Sequence, residues 1–170
     1  MSYRSPTLLG PGHRVDEFQC RSAEQTRWLK SFARQSSAMG TTKVFVVTEV
    51  DSDRVVAFYG WCMAALTISE APARLRRGAG RYPQPVALLA RLGVDLGHEG
   101  NGLAAGLLTD VITRAAALSD DIGCRGLVVH AESQAARDFY LHLIPEFEPS
   151  PTDELHLVLL MKDIRRTLGL

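Results

Sequence analysis

The chain has 170 residues, 46% hydrophobic and 22% charged, and its 19 basic and 19 acidic side chains cancel. That suffices for one sizeable core and is too little for two, and a partner rich in negative charge must be met by a local basic patch. The N-terminal MSYRSPTLLGPGHR has no apolar run of signal-peptide length and no later stretch could span a bilayer, so a cytoplasmic protein with no membrane partner is expected.

Residues 1–14, rich in Pro and Gly, predict a loose N-terminal segment. A helix is predicted from Ser22, where SAEQ sets Ser at the N-cap and Gln25 three residues on, the spacing of a capping box. Trp28, Leu29, Phe32 and Ala33 form its apolar stripe, and Arg21, Arg27, Lys30 and Arg34 lie largely outside it. KVFVVTEV, residues 43–50, and RVVAFYGWCMAAL, residues 54–66, are β-branched and aromatic, and the DSD between them predicts an antiparallel hairpin. A loop over 71–85 carries Arg74, Arg76, Arg77 and Arg81 with no acid among them, and a strand follows over 86–96. Residues 103–118 repeat Leu103, Leu107, Val111 and Ala115 every fourth position, a helix. A strand over 125–131, a helix capped by Ser133, the turn-rich EFEPSPTDE and a last strand over 155–161 complete the chain. This order predicts an α+β domain with a mixed sheet rather than a regular βαβ series. Cys20, Cys62 and Cys124 are scattered without C-x-x-C spacing, so neither a disulfide framework nor a metal site is expected.

The segment HEGNGLAAG, His98 to Gly106, joins the strand over 86–96 to the helix that starts near Leu103. Glycines let backbone N–H groups approach a ligand, and the helix adds its positive N-terminal end, which together make an anion site. A dinucleotide turn would require an acid closing the next strand, about 20 residues on. Asp120 and Asp121 precede that strand and Glu132 ends it too late, so the dinucleotide reading is rejected.

LARLGVDLGHEGNGLAAGLLTDVI, GLVVHAESQAARDFY and FEPSPTDELHLVLLMKDI together resemble the GNAT acetyltransferases, and more narrowly the GNAT toxins of toxin–antitoxin modules. The family's acyl-CoA motif, Q/R-x-x-G-x-G/A, falls on Glu99, Gly102 and Ala104, and the likeness runs from about residue 16 to MKDI. It implies a single GNAT domain over 1–170, with a mostly antiparallel mixed sheet, a central splayed strand pair and helices on both faces. It implies acetyl-CoA as cofactor, its pantetheine along the backbone of Leu92, Gly93 and Val94. The pyrophosphate would sit on the amides of Gly100, Asn101, Gly102, Leu103, Ala104, Ala105 and Gly106, with Glu99, Ser133 and Arg137 completing the cofactor set. Tyr140 matches the tyrosine that serves these toxins as general acid toward the leaving thiolate.

Two departures stand out. Glu99 replaces Gln or Arg, and LHLIPEFEP after Tyr140 is longer than usual and lacks glycine. A bare carboxylate about 6 Å from one phosphate charge costs roughly 1 kcal/mol even in water. On that ground Glu99→Gln is expected to tighten cofactor binding.

The resemblance implies transfer of acetyl to the α-amine of aminoacyl-tRNA, which stops translation, and a cognate ribbon-helix-helix antitoxin and a homodimer as partners. Arg74, Arg76, Arg77, Arg81 and Arg91, with Lys30 and Arg34, are the candidate phosphate contacts on the RNA. His130 and His98 are the candidate bases, though an α-amine with a pKa of about 8 needs none. Acetylation of a small amine or a protein N-terminus, or acyl-CoA binding without catalysis, are the alternatives.

Overall fold

The computed structural model describes all 170 residues. In chain order the elements are β1 (Thr7–Leu8), α1 (Ala23–Ser31), α2 (Ala33–Met39), β2 (Lys43–Thr48), β3 (Val55–Leu66), α3 (Ala73–Arg76) and β4 (Gln84–Val94). Then come α4 (Leu103–Asp121), β5 (Gly126–His130), α5 (Gln134–Leu143), β6 (Glu148–Ser150), β7 (Asp153–Leu160) and α6 (Met161–Thr167). No helix is long and apolar enough to cross a membrane. Two compact units divide the chain: Met1–Cys62 with Ala90–Asp110, and Met63–Leu89 with Val111–Leu170.

In the first unit the strands run β1-β2-β3-β4. The expected hairpin is present: β2 and β3 pair antiparallel, Val44 opposite Gly60 and Val46 opposite Phe58, with an irregularity at Val47/Thr48. Alternation along the strands explains the packing. Val44, Val46, Val55 and Phe58 meet Leu29 and Ala33 of the helices, together with Phe18 and Cys20. Phe45, one residue out of phase, stacks on Tyr59 instead, at 5.2 Å.

Three expectations change here. The N-terminal segment is not loose: β1 pairs with β2, Arg4 N–H donates to Thr48 O and Leu9 N–H to Val44 O, because an open β2 edge offers unpaired backbone groups. The first helix breaks at Phe32, whose φ of −125° ends α1. Phe32 consequently leaves the apolar stripe and is exposed, while Leu29 and Ala33 stay buried. Ser22 does cap α1, accepting from Gln25 N–H.

In the second unit the order is β3-β4-β5-β7-β6, with β4 and β5 parallel and β5, β7 and β6 antiparallel. Val128, Val158 and Leu160 pack with Leu66, Leu75 and Val86, while their neighbours Leu127, Val129, Leu157 and Leu159 are buried on the opposite face. A strand buried on both faces is covered on both. The predicted loop over 71–85 contains the one-turn helix α3, the predicted turn-rich segment contains β6, and Met161, expected to end the last strand, begins α6. All three are short, with too few residues to carry a periodicity that marks them.

Candidate active site

β4 and β5 pair over only three positions, Ala87, Leu88 and Leu89 opposite Leu127, Val128 and Val129. β4 then continues to Val94 without a β5 partner, so the backbone of Leu92, Gly93 and Val94 is released from that ladder, as the expected splay requires. Gly93 itself answers to packing: a Cβ there would sit 3.0 Å from Phe58 and 3.2 Å from the sulfur of Cys20.

Beyond β4 the backbone is anchored before it turns. Asp95, buried, accepts from Gly97 N–H and Gln19 N–H, both at 3.0 Å. His98, also buried, bonds through Nδ1 to the Tyr3 hydroxyl at 2.9 Å, and its carbonyl accepts from the Asn101 side chain. The next residues are open. Gly100 and Gly102 hold φ of +79° and +77°, and a Cβ built on either would meet nothing within 4 Å. These two positions therefore need glycine for conformation. Gly106 N–H donates to Gly102 O as the first bond of the helix, so the N–H groups of Leu103, Ala104 and Ala105 have no partner within it. The first turn of α4 carries no acid. A positive-φ turn, bare amides and open space are what a diphosphate requires, so the residues present fit the cofactor group expected from the sequence.

Glu99 does not face this anion site as a bare charge. Arg21 grips it with two bonds, Nε to Oε1 at 2.8 Å and Nη2 to Oε2 at 3.0 Å. The two charges cancel, which removes the repulsion expected from sequence.

In the second unit Ser133 caps α5, accepting from Ala136 N–H at 3.2 Å. Arg137 donates from Nε to Glu154 O at 2.8 Å, which ties α5 to the start of β7. Tyr140 lies on the buried side of α5, its ring edge-on to Phe147, and no protein group hydrogen-bonds its hydroxyl. Burial, and secondarily the charge of Glu132, push the phenol well above its ordinary value. It keeps its proton at any physiological pH. At the end of β5, His130 stacks on His156 of β7 at 3.8 Å, and His156 Nε2 lies 3.4 Å from Asp153. Burial and then His156 hold the His130 value below the usual one, so this ring is neutral at pH 7.

The arginine run that looked free of acids is not free of them in space. Arg74 makes a two-bond pair with Asp163 of α6, at 2.9 and 3.2 Å, and lies 3.7 Å from Glu148. It is a structural cation. Arg76, Arg77 and Arg81 are exposed. In the first unit Lys30 is exposed, Arg34 donates to His13 O, and Arg91 pairs with Glu24 at 3.1 Å while lying 5.2 Å over Trp28. Arg91, Trp28, Glu24, Arg27, Phe32 and Ser36 line an open depression of about 290 Å³. Sequence reasoning missed Arg21 and Asp163. The only signal for Arg21 was indirect: an acid inside an anion loop calls for a counter-charge.

No family model matches the chain. A tRNA-acetylating toxin of Mycobacterium tuberculosis (strain ATCC 25618 / H37Rv) is 38% identical over 167 residues, covering 98% of both chains. Among solved structures, AtaT complexed with acetyl-methionyl-tRNAfMet superposes with a TM-score of 0.88 at 20% identity, over 96% of this chain and 98% of that one. A Tyr-to-Phe mutant of AtaT bound to the C-terminus of the antitoxin AtaR and acetyl-CoA gives 0.83 at 19% identity, over all of both chains. The fold expected from sequence is the fold of these structures.

Proposed function

Because this chain belongs to the family of tRNA-acetylating toxins, built on the GNAT acetyltransferase fold, we propose that it moves acetyl from acetyl-CoA to the α-amine of aminoacyl-tRNA. The observation that carries the site is the open glycine turn ahead of the acid-free start of α4. Both compact units are read as parts of one acetyltransferase domain over 1–170. N-acetylation removes the nucleophile of peptide transfer, so translation stops.

Acetyl-CoA, when bound, supplies an activated acetyl thioester. The amides of Gly100 to Ala105 would hold its pyrophosphate, that of Gly106 being already bonded to Gly102 O, and the released backbone of Leu92 to Val94 would pair with its pantetheine. Ser133 and Arg137, first read as cofactor contacts, act mainly by fixing α5 and with it Tyr140. As the C–N bond forms and the C–S bond breaks, Tyr140 gives its proton to the departing sulfur and recovers one through solvent. Its elevated pKa keeps the donor fully protonated, and transfer occurs only as negative charge grows on sulfur. The amine enters neutral, since an aminoacyl ester lowers a pKa already near about 8. His130, neutral at pH 7, is free to relay its proton.

Arg76, Arg77 and Arg81 are the phosphate contacts we assign in the second unit, and Lys30 and Arg34 those in the first. Arg91, first read with them, is paired with Glu24, lies over Trp28 and is only 26% exposed, so it is a structural cation like Arg74. A ribbon-helix-helix antitoxin whose tail covers the toxin, a homodimeric state and a cytoplasmic place of action complete the reading. The AtaT structure with the antitoxin C-terminus supports an antitoxin tail bound to the toxin. In a cell-free translation reaction the protein should halt synthesis only when acetyl-CoA is present, and fresh charged tRNA should restore it. Undiminished synthesis, with acetylation of a small amine or a peptide N-terminus instead, overturns the substrate.

A further inference from the structure

We propose that Arg21, held in place by Glu99, is a cofactor-binding residue that contacts the pyrophosphate of acetyl-CoA and supplies the charge the motif lacks at position 99. The inference rests on the reading of Gly100 to Gly106 as the pyrophosphate loop.

The Arg21 guanidinium has five N–H donors, and Glu99 takes two of them through Nε and Nη2, leaving three. The Arg21 side chain is 82% exposed and that of Glu99 33%, so the remaining donors face solvent. An ion pair this exposed adds little to folding, and its geometry is better explained by what it presents than by what it stabilises.

The backbone that carries Arg21 is fixed to the start of the loop. Gln19 N–H donates to Asp95 Oδ1 and Gln19 O accepts from Leu96 N–H at 2.8 Å, while Cys20 N–H donates to Thr26 Oγ1 at 3.0 Å. Residue 21 is thus set between the residues that brace Asp95 and the N-cap of α1. Glu99, directly before Gly100, then fixes the fork where the bare amides begin. A two-bond grip orders the long side chain in advance, so less freedom is lost when a phosphate arrives. Glu99 is in this view a positioning residue, and its substitution has the opposite sign from the one expected on sequence.

Calorimetry on the full chain, with CoA and dephospho-CoA as probes, tests this. Arg21→Ala should weaken both probes by the same factor, about tenfold at low salt, and Arg21→Lys should recover part of the loss. Glu99→Gln should weaken binding about threefold in the native chain yet tighten it in the Arg21→Ala background, where the carboxylate stands bare. Thermal melting of each variant should match the native chain. Unchanged affinity in Arg21→Ala overturns the proposal. So does a loss confined to CoA, which would assign Arg21 to the 3′-phosphate, or tightening by Glu99→Gln with Arg21 present. A native chain that binds neither probe overturns the loop reading itself, and the proposal falls with it.

Discussion

Two arginine–carboxylate pairs of nearly equal length behave differently in this molecule. Arg21 and Glu99 meet at 2.8 Å with 82% and 33% of their side chains exposed. Arg74 and Asp163 meet at 2.9 Å with 33% and 2% exposed, and Arg166 at 3.3 Å and Glu148 add to the cluster. The closed pair joins α3 to α6 and is spent on structure. The open pair keeps three donors for a ligand. Exposure, not bond length, separates a binding arginine from a structural one, and exposure is what neighbouring sequence does not state.

The largest effect expected lies in the second unit and marks its division of labour with the first. Tyr140→Phe should lower acetyl transfer about a hundredfold or more while CoA affinity, measured by calorimetry, stays unchanged. A parallel loss of affinity would mean that Tyr140 binds rather than acts.

Breaking the closed pair is expected to come next. Asp163→Ala removes the two-bond partner of Arg74, leaving only the longer contact to Glu148, and should lower the melting temperature by roughly 4–8 °C, with no specific effect on CoA affinity. The hydrogen bond from Arg74 holds the Asp163 carboxyl below its ordinary range. Its contribution is therefore present above pH 4 or so and lost as pH falls through the lowered value, and Asp163→Asn should flatten this acid limb of the stability curve. An unchanged acid limb would separate Arg74 from Asp163 in solution.

Removing the free cations of the same run should spare stability and touch RNA. Joint Arg76→Ala, Arg77→Ala and Arg81→Ala should raise the KM for aminoacyl-tRNA about tenfold and reduce the slope of log affinity against log salt by roughly 2. Arg74→Ala, by contrast, should act through melting temperature. The smallest effect belongs to the open pair: Arg21→Ala should shift melting by about 1 °C or less. A large shift would make it a second structural pair.

Much of the frame was legible in the sequence because it depends on neighbours in the chain. The hairpin of residues 43–66, the α4 register of Leu103, Leu107 and Val111, and the Ser133 cap are local signals. What escaped depends on distance along the chain. Arg21 and Glu99 are 78 residues apart and Arg74 and Asp163 are 89 apart, so an acid-free run such as APARLRR says nothing about its true partners. β1 and β6 were missed for a related reason: two or three residues carry no periodicity, and only the edge they pair with makes them strands. The place of the glycine loop between a strand and a helix was legible from its neighbours, whereas the partner of its acid is a residue from before α1.

Charged tRNA is incubated with the protein and acetyl-CoA, the ester is hydrolysed, and the released amino acids are analysed by mass spectrometry. The expected products are amino acids carrying one acetyl group on the α-nitrogen, formed by the native chain and scarcely by Tyr140→Phe. Unmodified amino acids, alongside turnover of acetyl-CoA on another amine, would contradict the proposed transfer.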